Sequence, residues 1–179
     1  MGDNHIIKIE KIGKSDFFEP FSFKKDENNS PTEAIYRYNF DDFLDFAKDI
    51  NINEIGFLEE GIEMNLKITK EGLNLKSGIG EKLNDMIEEG ILCNNMVNRA
   101  KVLCSAAAEA RMSGVKLPVM ISAGSGNHGI TIFLSNFVVF EKKQISKERL
   151  LRSLALSNLI TLFIKSHTGR LSAMCGCGI

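Results

Sequence analysis

The chain has 179 residues, 44% hydrophobic and 25% charged, the composition of an ordinary globular protein of one domain or at most two. A formal net charge of −1 and a pI near 6.3 give no global field to gather nucleic acid or an anionic membrane, so neither is an expected partner. No apolar run reaches about 18 residues and "MGDNHIIKIEKIGK" lacks a signal-peptide core, so the expectation is a cytoplasmic protein with its four cysteines reduced.

In chain order, "HIIKIEKIG" (5–13) alternates well enough for a short strand, with apolar residues on both faces. "FFEPFSFKKDENNSPTE" (17–33) holds two prolines, two asparagines and a charge run, and reads as a linker. From there the pattern is helical. In "NFDDFLDFAKDI", Phe40, Phe43, Leu44 and Ala47 form one stripe behind an Asn39 cap. "NEIGFLEEGIEMNLKITKEGL" aligns Ile55, Leu58, Ile62, Leu66 and Ile68 or Thr69, with Asn53 as cap and Gly72 as the stop.

The segment 81–114 supplies one short and one long helix, ending near Gly114, and its small run Ser105–Ala108 predicts a central helix that others approach closely. Cys93 and Cys104 fall in this pattern as small buried hydrophobes. "HGITIFLSNFVVFEKK" (128–143) reads as a buried helix, with strand as the competitor because of its β-branched residues. The last helix starts at Ser146, has Leu150, Leu151, Leu154, Leu156 and Ile160 or Leu159 within it, and is expected to stop at Gly169. The fold class is mainly α: a helical domain with a short N-terminal strand or extended segment, and a Gly-rich turn at a buried helix N-terminus. The division is 1–38 for the N-terminal extended segment and linker, and 39–179 for the helical domain.

Two stretches carry candidate chemistry. "SAGSGNHGI" (122–130) places three glycines, two serines, Asn127 and His128 before an apolar helix, where unpaired N–H groups and the helix dipole suit a carboxylate or phosphate. On periodicity alone the favoured reading is the plainer one, a Gly-rich turn joining two core segments, because such turns are common. Gly124, Gly126 and Gly129 nearly make G-x-G-x-x-G, but no clear strand precedes them, which argues against a dinucleotide site. "CGC" places Cys175 and Cys177 one residue apart; thiolates suit zinc, copper or an iron–sulfur cluster, but two are too few for a site. Lys165, His167 and Arg170 lie between the two stretches, where a helix C-terminus also favours cations.

Arg111-Met112-x-Gly114, Leu117-Pro118-Val119-Met120, Gly124-Ser125-Gly126-Asn127 and Gly169-Arg170-Leu171-Ser172-Ala173-x-Cys175-Gly176-Cys177 occur in that order, and the region from about Phe40 onward resembles the L-serine dehydratase alpha-chain-like family, which includes L-cysteine desulfidases. The resemblance implies a [4Fe–4S] amino-acid lyase in which iron acts as Lewis acid and a base removes the α-proton. Water or sulfide then leaves, and the resulting enamine hydrolyses to pyruvate and ammonia. It implies that Ser122, Gly124, Ser125, Gly126 and Asn127 hold the substrate carboxylate, that Lys165 and Arg170 supply cations, and that Cys175 or Cys177 ligates iron; it assigns no catalytic residue.

The sequence departs from the family pattern. An Ala-Leu-Gly-Cys-Thr-Glu-Pro-like motif and a Cys-Asp-Gly-Ala-Lys-like motif do not occur, Glu109 stands where Asp is usual, and His128 stands where Gln is usual. The expectation is therefore a partial lyase domain, inactive alone, with its cluster incomplete or absent. The alternatives are one subunit of a split lyase or a non-catalytic helical binding domain. The expected partners are a small amino acid and either a second copy or a complementary lyase subunit.

Overall fold

The structure, a computed structural model, describes residues 9–11, 14–16, 34–76 and 78–168. The linker reading of 17–33, the Gly169 stop, Arg170, Cys175 and Cys177 lie outside the described residues. By contacts the chain divides into two units, Met1–Ser30 and Pro31–Ile179. In the first, β1 (Ile9–Lys11) pairs antiparallel with β2 (Lys14–Asp16), Ile9 opposite Asp16 and Lys11 opposite Lys14. The single expected strand is thus a shorter one followed by a return strand.

The second unit is helical, as the sequence predicts: α1 (Phe40–Asp49), α2 (Leu58–Leu73), α3 (Ile79–Glu88), α4 (Met96–Met112), α5 (Gly126–Lys143) and α6 (Lys147–Thr168). Asn39 caps α1 as expected: its Oδ1 accepts from Asp41 N at 2.8 Å and Asp42 N at 3.2 Å, while Asp42 Oδ2 accepts from Asn39 N at 2.7 Å. Phe43 and Ala47 face inward, whereas Phe40 is exposed, so the buried stripe is narrower than its spacing predicted. Ser146 caps α6 through Arg149 N. From α6, Arg152 Nη1 donates to the carbonyls of Ala47, Lys48 and Ile50, satisfying the end of α1 from across the fold.

Two expectations for α2 are corrected. Asn53 is not its cap: Asn53 lies in a 3-10 turn (Ile52–Glu54) whose opening is held by Asn51 Oδ1, and α2 begins only at Leu58. Gly72 is not a stop but an interior helical residue pressed on α4; a Cβ there would lie 1.9 Å from the Ala106 carbonyl oxygen. Gly80 of α3 meets the same residue, its virtual Cβ 2.5 Å from Ala106 Cβ. The small-residue run of α4 therefore does what the sequence predicts, admitting two neighbouring helices at Ala106, which is fully buried.

α5 is a helix because its apolar residues follow helical spacing: Ile130, Phe133, Leu134 and Val138 are buried while Thr131 and Val139 are exposed. One side joins Ile55, Leu58, Ile62, Leu150, Leu151 and Leu154 through Phe133; the other joins Ile68, Leu103, Ala107 and Ala110 through Ile130, Leu134 and Val138. α5 is thus the shared wall of two cores. Among the described residues no helix is long and apolar enough to cross a membrane.

Gly72→Ala is expected to lower stability by about 3 kcal/mol, because the added methyl meets backbone rather than a movable side chain. Gly56→Ala, where a Cβ finds only ordinary contacts at 3.6 Å and beyond, is expected to stay within about 1 kcal/mol of the parent. Urea unfolding followed by circular dichroism measures both.

Candidate functional site

The Gly-rich stretch folds into a tight turn. Ser122 N donates to Ser125 O at 3.1 Å, and Ser125 N donates to Ser122 O at 2.9 Å. Between them Ala123 and Gly124 have φ of +46° and +79°, the pattern of a type I′ turn. Glycine adopts this conformation freely; for Ala123 it costs about 1–2 kcal/mol. Ser125 then caps α5, its Oγ accepting from His128 N at 3.4 Å.

The other two glycines admit neighbours. A Cβ on Gly129 would lie 1.9 Å from Met120 O, so the extended segment before the turn crosses α5 at backbone contact. A Cβ on Gly126 would lie 2.5 Å from Arg111 Nε, so the end of α4 reaches over the first turn of α5. Arg111 Nη1 donates to Asn127 Oδ1 at 3.3 Å.

Asn65 holds this crossing together. Fully buried on α2, it accepts from Met120 N at 3.0 Å through Oδ1 and donates from Nδ2 to Gly129 O at 3.3 Å. Thr69 Oγ1 in turn donates to Asn65 O at 2.7 Å. Sequence reasoning missed Asn65, although an Asn between Ile62 and Thr69 on a buried stripe is a signal that a partner must be found. It missed Arg111 as well, which sits in the Arg-Met-x-Gly motif already singled out. Glu109, noted only as a departure, is structural here: its carboxylate accepts from Ile79 N at 3.0 Å and Gly80 N at 3.3 Å, capping α3 where Gly78 has no side chain to do so.

Beside the turn lies a cleft of about 470 Å³, walled by Phe46 of α1, Leu58 of α2, and Ala155, Leu159 and Leu162 of α6, with Ser122 and Ala123 on its lining. Glu54 and Asn158 add polar groups. Ser122 is 4% exposed and its Oγ has no hydrogen-bond partner among the described residues. A buried hydroxyl without a partner costs about 1–3 kcal/mol, so it is either tolerated at a loss or reserved for something that enters the cleft.

The turn thus gathers Ser122, Gly124, Ser125, Gly126 and Asn127 at the start of α5. Lys165 is buried on α6, on the face of Asn158 and Leu162, one turn past the cleft. Arg170, Cys175 and Cys177 lie outside the described residues, so their relation to the turn is not defined. Cys104 is half-buried, with its Sγ 3.9 Å from Ser135 Oγ. Cys93 is not the buried hydrophobe its pattern predicted: it is exposed in the loop between α3 and α4. No group of three His, Cys, Asp or Glu side chains gathers among the described residues, which therefore supply no ligand set for an iron–sulfur cluster.

The chain matches the serine dehydratase alpha chain family over residues 8–179 and belongs to it. The match reaches N-terminally well beyond Phe40, where the resemblance of the motifs begins. A UPF0597 protein of Clostridium tetani is 43% identical over 183 residues, covering 99% of this chain and 41% of that protein. One from Clostridioides difficile is 39% identical, covering 99% of this chain and 45% of that protein, and one from Elusimicrobium minutum is 34% identical, covering 100% and 42%. The chain spans less than half the length of these relatives. No solved structure matches it.

Asn65→Leu is expected to lower stability by about 2 kcal/mol, since it removes both partners of the crossing while keeping the side chain's bulk. Its signature is local: the Met120 amide should exchange with deuterium faster than amides in the middle of α4. Unchanged protection at Met120 would mean that the crossing does not depend on Asn65.

Proposed function

We propose that this chain carries the carboxylate-holding part of an amino-acid α,β-eliminating lyase. The observation that carries the reading is the buried, unpartnered hydroxyl of Ser122 at the mouth of a helix N-terminus. Family membership supports the reaction class.

The physical logic is electrostatic. A carboxylate against the first turn of α5 meets N–H donors and the positive end of the dipole, and Ser122 Oγ adds a donor. Neutralising that carboxylate lowers the barrier to removing the neighbouring α-proton, because negative charge developing at Cα no longer faces a second full negative charge. The proton goes to a base, the Cβ–O or Cβ–S bond breaks with its electron pair on the leaving group, and aminoacrylate forms. Hydrolysis of its imine tautomer gives pyruvate and ammonia. On this reading Lys165 and Arg170 bring further positive charge, and Cys175 and Cys177 are the candidate thiolate ligands of a [4Fe–4S] cluster. The described residues hold no ligand set for a cluster, so no step is assigned to one, and the base is not assigned to a residue. The isolated chain is then a binder without turnover.

A second reading is favoured by Phe46, Phe57 and Ile121, which line the cleft yet stand about half exposed. A complementary lyase chain or a second copy covers this apolar rim and completes the site.

Calorimetric titration is expected to show binding of L-serine but not of serinol, which lacks the carboxylate. Ser122→Ala is expected to weaken L-serine about tenfold, the worth of one hydrogen bond to a charged group. Pyruvate release from L-serine or L-cysteine should be absent with the isolated chain. Equal affinity for L-serine and serinol would sink the carboxylate assignment.

A further inference from the structure

Arg111 is exposed, and its own helix accounts for only part of its placement. It belongs to the last turn of α4, where a cation complements that helix's own dipole. Its side chain, however, extends over Gly126, the first residue of α5, and so brings a guanidinium to the positive end of a second helix. Any side chain at position 126 would expel it, since even a Cβ would stand 2.5 Å from Nε and 2.9 Å from Cζ. Dipole complementarity within α4 does not explain why the side chain reaches so far.

Nor does pairing within the chain. The polar contacts of Arg111 are Asn127 Oδ1 at 3.3 Å and Met112 Sδ at 3.5 Å, both made by Nη1. No carboxylate neutralises it among the described residues. The Nε–Nη2 edge, which can grip a carboxylate in two parallel hydrogen bonds, keeps its donors. A second observation belongs to the turn that opens α5. Ser122 and Ser125 exchange both backbone hydrogen bonds, which puts their side chains on one face of the turn. Ser125 Oγ serves the opening of α5, so the unpartnered, buried Ser122 Oγ stands on that side too.

We infer that Arg111 is the cationic clamp of this site, binding the carboxylate of a small amino acid against the first turn of α5. The inference rests on the carboxylate reading above and adds to it a residue outside the motif turn. An anion between the guanidinium and α5 converts two facing positive groups into a favourable triad. Gly126 is the residue that makes room for the arrangement, and Asn127 fixes the guanidinium's orientation through Nη1.

The test follows the backbone amide resonances of Gly126 and Asn127 during titration with L-serine, serinol and sodium sulfate. L-serine and sulfate are expected to shift both amides, and serinol neither. Arg111→Met should weaken L-serine at least tenfold, and Arg111→Lys, which keeps the charge but loses the planar fork, by an intermediate factor. Gly126→Ala keeps the guanidinium but displaces it; it should also weaken binding, and it provides the test if Arg111→Met fails to fold. An L-serine affinity within twofold of the parent in folded Arg111→Met would overturn the clamp and leave the carboxylate cradle standing. Arg111-dependent sulfate binding without L-serine binding would support the anion clamp and overturn the lyase reading. Failure of the parent chain to bind either would overturn both.

Discussion

The geometry of the site depends on one buried carboxamide. Asn65 accepts from Met120 N and donates to Gly129 O, so a single side chain of α2 ties the extended segment 117–121 to the second turn of α5. Neither bond is replaceable by water, because Asn65 is fully buried. The crossing it fixes is close enough that Gly129 must lack a side chain. Everything downstream follows from that contact: the direction in which the chain reaches Ser122, the room for only two residues before it returns, and the position of Ser125 to cap α5.

The helical scaffold makes such a contact rigid. α5 lies between two apolar clusters, with Phe133 in one and Ile130, Leu134 and Val138 in the other, so it cannot slide toward either without opening a void. α4 is held by α2 and α3, both seated on Ala106, and its far end delivers Arg111 to α5. Arg152 joins α6 to the last carbonyls of α1, fixing two walls of the cleft relative to each other. The anion recognition proposed above would gain from this rigidity, since donors already in place lose little entropy when a ligand arrives.

What the sequence disclosed was what local rules govern. The Asn39 and Ser146 caps, the helical period of α5 and the small-residue face of α4 each depend on neighbours within one turn or one helix, and each was legible. Gly72 misled because glycine marks both helix ends and helix contacts, and only the position of Ala106 distinguishes them. Asn53 misled because the adjacent Asn51 had the same capping chemistry and a 3-10 turn intervened. In the site, the Gly-rich turn was visible as a motif, but its supports were not. Asn65 lies 55 residues from Met120 and Arg111 lies 16 from Asn127, and no periodicity encodes such pairings. The family motifs came closest, since Arg111 and the turn both belong to them, but motifs carry order along the chain and not contact.

Three uncommon features, the first two of them locally costly, fall between Arg111 and Asn127. Ala123 occupies a left-handed backbone, Ser122 buries a hydroxyl without a partner, and a guanidinium stands over a helix N-terminus. Gln144, at the end of α5, shares the left-handed backbone, but elsewhere in the helical unit polar groups are matched: asparagine and serine caps are satisfied, Arg152 and Glu109 find their complements, and the buried Asn65 uses both ends of its amide. A turn needed only to connect α4 to α5 could use glycine at 123 and alanine at 122, removing the first two costs without altering the path. Their convergence at one end of one helix is the ground for the charged ligand proposed above. The sign of that charge follows from the groups left over, because the hydroxyl, the guanidinium edge and the helix end can all serve as donors.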